Sequence, residues 1–154
     1  MKKIRVGVIG VGYLGQFHAE KYTNLPNVEL VGIVDPDQAR AAQIAKKVKA
    51  EAFADAAKLF GRVDAVSIVA PTALHHAVAK QFLEQGVHLL LEKPITVTLE
   101  QADELIDLAS KRGLVLQVGH IERFNPAVTA VKALLKSPRY LQAERSAPFT
   151  VRCT

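Results

Sequence analysis

Apolar residues in this chain fall into short unbroken runs separated by stretches with helical spacing. Runs at 4–9, 30–34, 65–69, 87–91 and 114–118 read as strands, and 50–53 is a candidate short strand. They are continuous rather than alternating, which marks strands buried on both faces, as in a parallel sheet. Helical patterns lie between them. The first runs from 13 to about 22 and the second from 38 to about 48. The third places Leu74, Ala77, Val78 and Phe82 on one face and stops at Gly86. The fourth opens with a capping box, Thr98-Leu99-Glu100-Gln101, carries an apolar stripe of Ala102, Leu105, Ile106 and Ala109, and closes at Lys111-Arg112-Gly113. Such alternation needs crossover connections and predicts an α/β fold with a doubly wound, mostly parallel sheet.

The last stretch differs. A helical pattern at 127–135 follows Arg123-Phe124-Asn125-Pro126, Ser137-Pro138 breaks it, and 140–152 reads as extended with no later strand to pair with. The expected organisation is therefore one domain over 1–122 and, over 123–154, the incomplete start of a second α+β domain.

Between the first strand and the first helix stands Gly10-Val11-Gly12-Tyr13-Leu14-Gly15. Twenty positions beyond Gly15, at the end of the next strand, is Asp35. Strand, Gly-x-Gly-x-x-Gly turn, helix and delayed acid together make a dinucleotide-binding (Rossmann) fingerprint. Gly10 permits the tight turn, Gly12 lets backbone approach a pyrophosphate, and Gly15 lets the helix lie close to the sheet. The helix start presents unpaired N–H groups and partial positive charge to an anion. Asp35 would accept hydrogen bonds from the adenosine ribose and repel a 2′-phosphate. NAD is thus favoured over NADP, and no arginine follows until Arg40.

Composition narrows the rest. The 154 residues are 49% hydrophobic, enough for a core, and no apolar run is long enough to span a bilayer. The basic start, Met1-Lys2-Lys3, leads into a strand rather than a signal peptide. Lone Cys153 excludes an internal disulfide and is compatible with a reducing cytoplasm. The net charge of +5 comes from scattered residues without interleaved aromatics, so no nucleic-acid platform is expected.

The glycine turn, Asp35, Val69-Ala70-Pro71-Thr72-Ala73-Leu74-His75 and Glu92-Lys93-Pro94 resemble the Gfo/Idh/MocA oxidoreductases over roughly the first 126 residues. The segment from Val118-Gly119-His120 to Asn125-Pro126 is similar to family members acting on nucleotide sugars, UDP-N-acetylglucosamine 3-dehydrogenases among them. The resemblance implies NAD-dependent hydride transfer at a sugar or nucleotide-sugar hydroxyl or carbonyl, in a full-length homo-oligomer. It implies that Gly10, Gly12, Tyr13, Leu14 and Gly15 line the pyrophosphate and Asp35 the ribose. Ala70, Pro71, Thr72 and His75 would border the dinucleotide. Glu92 and Lys93 would sit near the nicotinamide, with Lys93 touching substrate. The family's further catalytic aspartate and histidine would lie beyond residue 154.

Lys93 follows a strand at the carboxyl edge where open α/β sheets bind ligands. A lysine there can hydrogen-bond the reacting oxygen or share in proton transfer. Pro94 is a candidate for a cis bond, and His120 is a second catalytic candidate after the next strand. His75 and His76 are neighbours about 100° apart on a helix and cannot chelate together, and no metal-binding spacing occurs elsewhere. Arg123 would pair with a sugar phosphate or with a carboxylate. Ser67 lies inside a strand without a partnering histidine–acid arrangement, so nucleophilic serine chemistry is not expected. The competing readings are a dinucleotide-sensing module without chemistry, and an interaction domain with an empty fold. Sensitivity of turnover to Lys93 separates an enzyme from the first; an Asp35 turned away from the glycine turn would favour the second.

Overall fold

The computed structural model describes residues 2–142 and 144. The expected extended segment over 140–152 lies largely outside them, as does Cys153. The chain forms two units, one running to Gly119 and one from His120.

The first unit contains, in order, β1 (Ile4–Ile9), α1 (Gly15–Thr23), β2 (Val28–Val34), α2 (Gln38–Val48), β3 (Glu51–Phe53), a 3-10 turn (Ala56–Leu59), β4 (Ala65–Ile68), α3 (Thr72–Glu84), β5 (His88–Leu91), α4 (Leu99–Lys111) and β6 (Leu116–Val118). All strand pairs are parallel, in the order β3-β2-β1-β4-β5-β6. The strand order reverses between β1 and β4, and a crevice at the carboxyl edge there is the expected ligand position of a doubly wound sheet.

Neighbouring strand residues supply opposite faces. Val8 and Ile33 pack with Ala19, Ala41 and Ile44 of α1 and α2. Ile9 and Val34 pack in a cluster with Leu59, Phe82, Leu83 and Leu105. Continuous apolar runs are therefore required, because both faces are covered.

Local chemistry sets the ends. Asp37 caps α2 by accepting from the Arg40 N–H at 3.0 Å, and Thr98 Oγ1 caps α4 by accepting from the Gln101 N–H at 3.4 Å. Helix α1 begins at Gly15, because Tyr13 and Leu14 belong to the turn out of the glycines. Strand β2 begins at Val28, where it pairs with Ile4. Strand β6 is shorter than its apolar run, because the Leu114 N–H is spent on the Ala109 carbonyl behind α4.

Two apolar stripes need correction. Helix α3 buries His75, Ala79, Phe82 and Leu83, while Leu74 is 51% exposed and Ala77 is exposed. A histidine can take the inward position because its ring meets backbone carbonyls there. In α4, Ala102, Leu105 and Ala109 are buried and Ile106 is 51% exposed.

The second unit holds a 3-10 turn (Ile121–Phe124) and α5 (Pro126–Leu134), with Pro126 at the first turn and the Asn125 side chain accepting from the Ala127 N–H at 2.9 Å. Among the described residues no helix is long and apolar enough to cross a membrane.

Candidate functional site

The turn after β1 has the backbone its glycines predict. Gly10 has φ +83°, and a Cβ there would stand 2.7 Å from the Val69 carbonyl oxygen. A Cβ on Gly15 would lie 1.8 Å from the Gly10 carbonyl oxygen, so α1 rests directly on the turn. Gly12 is different: a Cβ there meets open space, with only Arg40 Nη1 at 4.0 Å. No side chain caps the start of α1 and no acid stands in its first turn. The bare helix N-terminus and the room above Gly12 fit a pyrophosphate.

Beside the turn, a cavity of about 450 Å³ is lined by Val11, Gly12, Tyr13, Gln16, Arg40, Gln43 and Ile44. Asp35 closes the end of β2 and is 3% exposed. Its Oδ2 accepts from the Val11 N–H and its Oδ1 from the Asp37 N–H, each at 2.9 Å. The acid therefore faces the glycine turn, and each oxygen keeps a lone pair for another donor. Arg40 reaches back to within 3.7 Å of Asp35 Oδ2 and bonds Asp37 Oδ2 at 2.9 Å. The Arg40 N–H, more than the guanidinium, holds the Asp37 carboxyl below the usual range. Arg40, the first arginine after Asp35 in the sequence, stands beside that acid because Asp37 caps α2 at its start.

Across the switch point, Ala70 and Pro71 lead into α3, with Thr72 as its first residue. His75 lies on the inner face, 1% exposed. Its Nε2 is 2.8 Å from the Ala70 carbonyl and its Nδ1 is 2.9 Å from the Pro94 carbonyl. Both ring nitrogens are thus engaged by backbone, and the ring ties the β4 exit to the β5 exit. His76 instead faces Glu104 on α4 at 2.7 Å. Lys93 is exposed at the carboxyl edge, and the Lys93–Pro94 bond is cis. Glu92 is 7% exposed, and its Oε2 accepts from the Lys93 N–H at 3.1 Å.

The expectation that Ser67 lacks a histidine–acid partner is corrected. Ser67 Oγ is 3.3 Å from His18 Nδ1, and His18 Nε2 is 3.4 Å from Glu92 Oε1. Tyr22 Oη is 2.7 Å from the same Ser67 Oγ. Burial pushes the His18 imidazole below its ordinary value, opposed by Glu92. Burial pushes the Tyr22 phenol up, opposed by its bond to Ser67. Ser67 is 0% exposed, so no substrate carbonyl can reach it and nucleophilic chemistry remains without support.

His120 and Arg123 are exposed in the second unit, around its 3-10 turn. Among the described residues no group of three or more His, Cys, Asp or Glu side chains could hold a metal.

An all-parallel sheet of this order, carrying the glycine turn with a buried acid facing it, defines a dinucleotide-binding α/β domain. The chain belongs to the Gfo/Idh/MocA oxidoreductase family with an NAD-binding Rossmann fold, whose profile matches residues 4–120. It is 48% identical over 153 residues to UDP-N-acetylglucosamine 3-dehydrogenase from Acidithiobacillus ferrooxidans, covering 99% of this chain and 48% of that protein. A solved structure of that enzyme superposes with a TM-score of 0.90, covering 99% of this chain and 50% of the other. Scyllo-inositol 2-dehydrogenase (NAD(+)) from Bacillus subtilis is 34% identical over 134 residues, covering 84% of this chain and 39% of the relative. The crystal structure of GenD2 from gentamicin A biosynthesis, in complex with NAD, is 29% identical with a TM-score of 0.84, covering 87% of this chain and 39% of that one. The chain spans under half the length of these curated relatives.

Proposed function

We propose that the complete protein is an NAD-dependent oxidoreductase acting on a nucleotide sugar, with UDP-N-acetylglucosamine and its 3-hydroxyl as the first substrate to test. The observation that carries this is the open space above Gly12, beside an acid aimed at the same turn, with Lys93 on the carboxyl edge of the same sheet. The relative named for that activity supports the substrate class.

When bound, NAD⁺ supplies the hydride acceptor. The backbone of Gly12 to Gly15 holds the phosphates, and Asp35 accepts from the ribose hydroxyls. Ala70, Pro71 and Thr72 border the dinucleotide, with Glu92 beside the nicotinamide. Lys93 donates to the sugar oxygen that loses its proton, steadying the charge that develops there. The hydroxyl proton leaves to a general base of the complete protein.

The test uses the complete protein with UDP-N-acetylglucosamine and NAD⁺, following NADH absorbance. Lys93→Ala should cut turnover by roughly a hundredfold or more while NAD⁺ affinity by calorimetry stays within about threefold. Unchanged turnover in that variant refutes the assignment of Lys93. NAD⁺ binding with no turnover of UDP-N-acetylglucosamine or other nucleotide sugars would favour the sensing reading.

A further inference from the structure

Behind the glycine turn, polar side chains from α1, β4 and the exit of β5 form one line. Tyr22 meets Ser67 at 2.7 Å, Ser67 meets His18 Nδ1 at 3.3 Å, and His18 Nε2 faces Glu92 Oε1 at 3.4 Å. The other carboxylate oxygen, Oε2, accepts from the Lys93 N–H at 3.1 Å. One assignment of hydrogens satisfies every group. The Tyr22 hydroxyl donates to Ser67, Ser67 donates to Nδ1, and the ring carries its own hydrogen on Nε2 toward Glu92. No buried side-chain polar atom among the described residues lacks a partner. Glu92 is held on a further side as well. A Cβ on Gly119, at the exit of β6, would lie 2.6 Å from Glu92 Oε1, so the carboxylate occupies the space that glycine leaves.

We infer that His18 is a positioning residue: it holds the Glu92 carboxylate against the Lys93 amide and thereby fixes where the lysine leaves β5. This rests on the reading of Lys93 as a substrate contact. His18 stands three residues beyond Gly15, on the helix whose start faces the phosphates. The line therefore couples the cofactor helix to the lysine through side chains from three elements. A part-buried polar line of this kind favours one arrangement, because a member moved alone leaves its neighbour without its partner. A hydrophobic residue at position 18 could fill the space but could not aim Glu92.

The experiment compares His18→Leu, His18→Gln and His18→Asn in the complete protein. Glutamine can still place an N–H near the Nε2 position, whereas asparagine is too short to reach Glu92. With UDP-N-acetylglucosamine, His18→Leu and His18→Asn should lower kcat about ten- to a hundredfold, with NAD⁺ affinity within about threefold and His18→Gln recovering most of the loss. His18→Leu combined with Glu92→Gln should be no worse than Glu92→Gln alone, as for members of one unit. A readout independent of substrate is the Lys93 amide resonance in protein labelled with ¹⁵N-lysine. It should shift in His18→Leu and in Glu92→Gln. Should His18→Leu fail to fold, the contrast between Gln and Asn decides, by the same resonance. An unmoved Lys93 amide, or equal loss of kcat in all three variants, overturns the inference. Intact turnover in Lys93→Ala would instead sink the reading of Lys93, while the amide resonance would still decide whether His18 holds Glu92.

Discussion

Alanine substitutions at Gly12 and Gly15 separate the turn's role in folding from its role in binding. At Gly15 the added methyl would lie 1.8 Å from the Gly10 carbonyl oxygen and 2.8 Å from its carbon, against backbone that no rotamer can move. Helix α1 must lift off the turn by more than an ångström. Overpacking of this kind costs about 1–3 kcal/mol, which for a domain of this size is a fall in Tm of roughly 4–12 °C. At Gly12 the methyl meets nothing nearer than Arg40 Nη1 at 4.0 Å. The fold should accept it with a change within about 0.5 kcal/mol. Its methyl would occupy the volume proposed for the phosphates, so NAD⁺ affinity should fall at least about tenfold, or 1.4 kcal/mol. Thermal unfolding without ligand measures the first effect, and calorimetric titration with NAD⁺ the second. Gly12→Ala binding NAD⁺ as well as the parent would refute the cradle. Gly15→Ala melting at the parental temperature would refute the packing argument.

Asp35→Ser removes the charge that repels a 2′-phosphate and frees Arg40, now 3.7 Å from that carboxylate, to meet it. The ratio of NADP to NAD⁺ affinity should rise about tenfold or more; an unchanged ratio by titration would discredit the ribose assignment. At the other end of β1, Arg5 bonds Asp64 at 2.7 Å, and its side chain, with its backbone N–H, pushes that carboxyl down to about 2. The folded value lies below the unfolded one. The stabilisation is therefore complete above about pH 4 and is lost as pH falls toward 2. Both side chains are about a third exposed, so solvent screens the pair. Asp64→Asn should lower stability slightly at pH 7 and flatten the acid limb of a denaturation series. A parallel acid limb in the variant would contradict the assignment.

The strands, the helices between them and the parallel sheet were legible because each follows a local rule: continuous apolar runs, caps, and the glycine spacing of one turn. Where the reading slipped, a distant partner had changed the local balance. Leu74 looked like core on α3 until His75 took its place, with its Nδ1 set against carbonyls 19 and 20 residues away. The 3-10 turn carrying Leu59 was missed, yet a trace of it was present. Gly7 and Gly32 interrupt otherwise branched strands, and Cβ atoms there would strike Leu59 at 2.5 and 2.9 Å. Glycine inside a strand reports a close neighbour, though not which one.

The candidate site shows the same division. The glycine turn and Asp35 are close enough in sequence for spacing to join them, and they meet in space through the Val11 N–H. Counting positions names Arg40 as the first arginine after Asp35, but only the fold shows its guanidinium 3.7 Å from that carboxylate. The line from Tyr22 to Glu92 lay further from reach, since its links span 45, 49 and 74 residues. Its one local signal was Ser67, a polar residue in a strand whose neighbours Val66 and Ile68 are buried. A serine buried in such a strand must find a partner or leave its hydroxyl unpaired at a cost of about 1–3 kcal/mol. That demand is written in the sequence itself. The residues that meet it, His18 and Tyr22, are four apart on one helix face, where they can approach a single hydroxyl together.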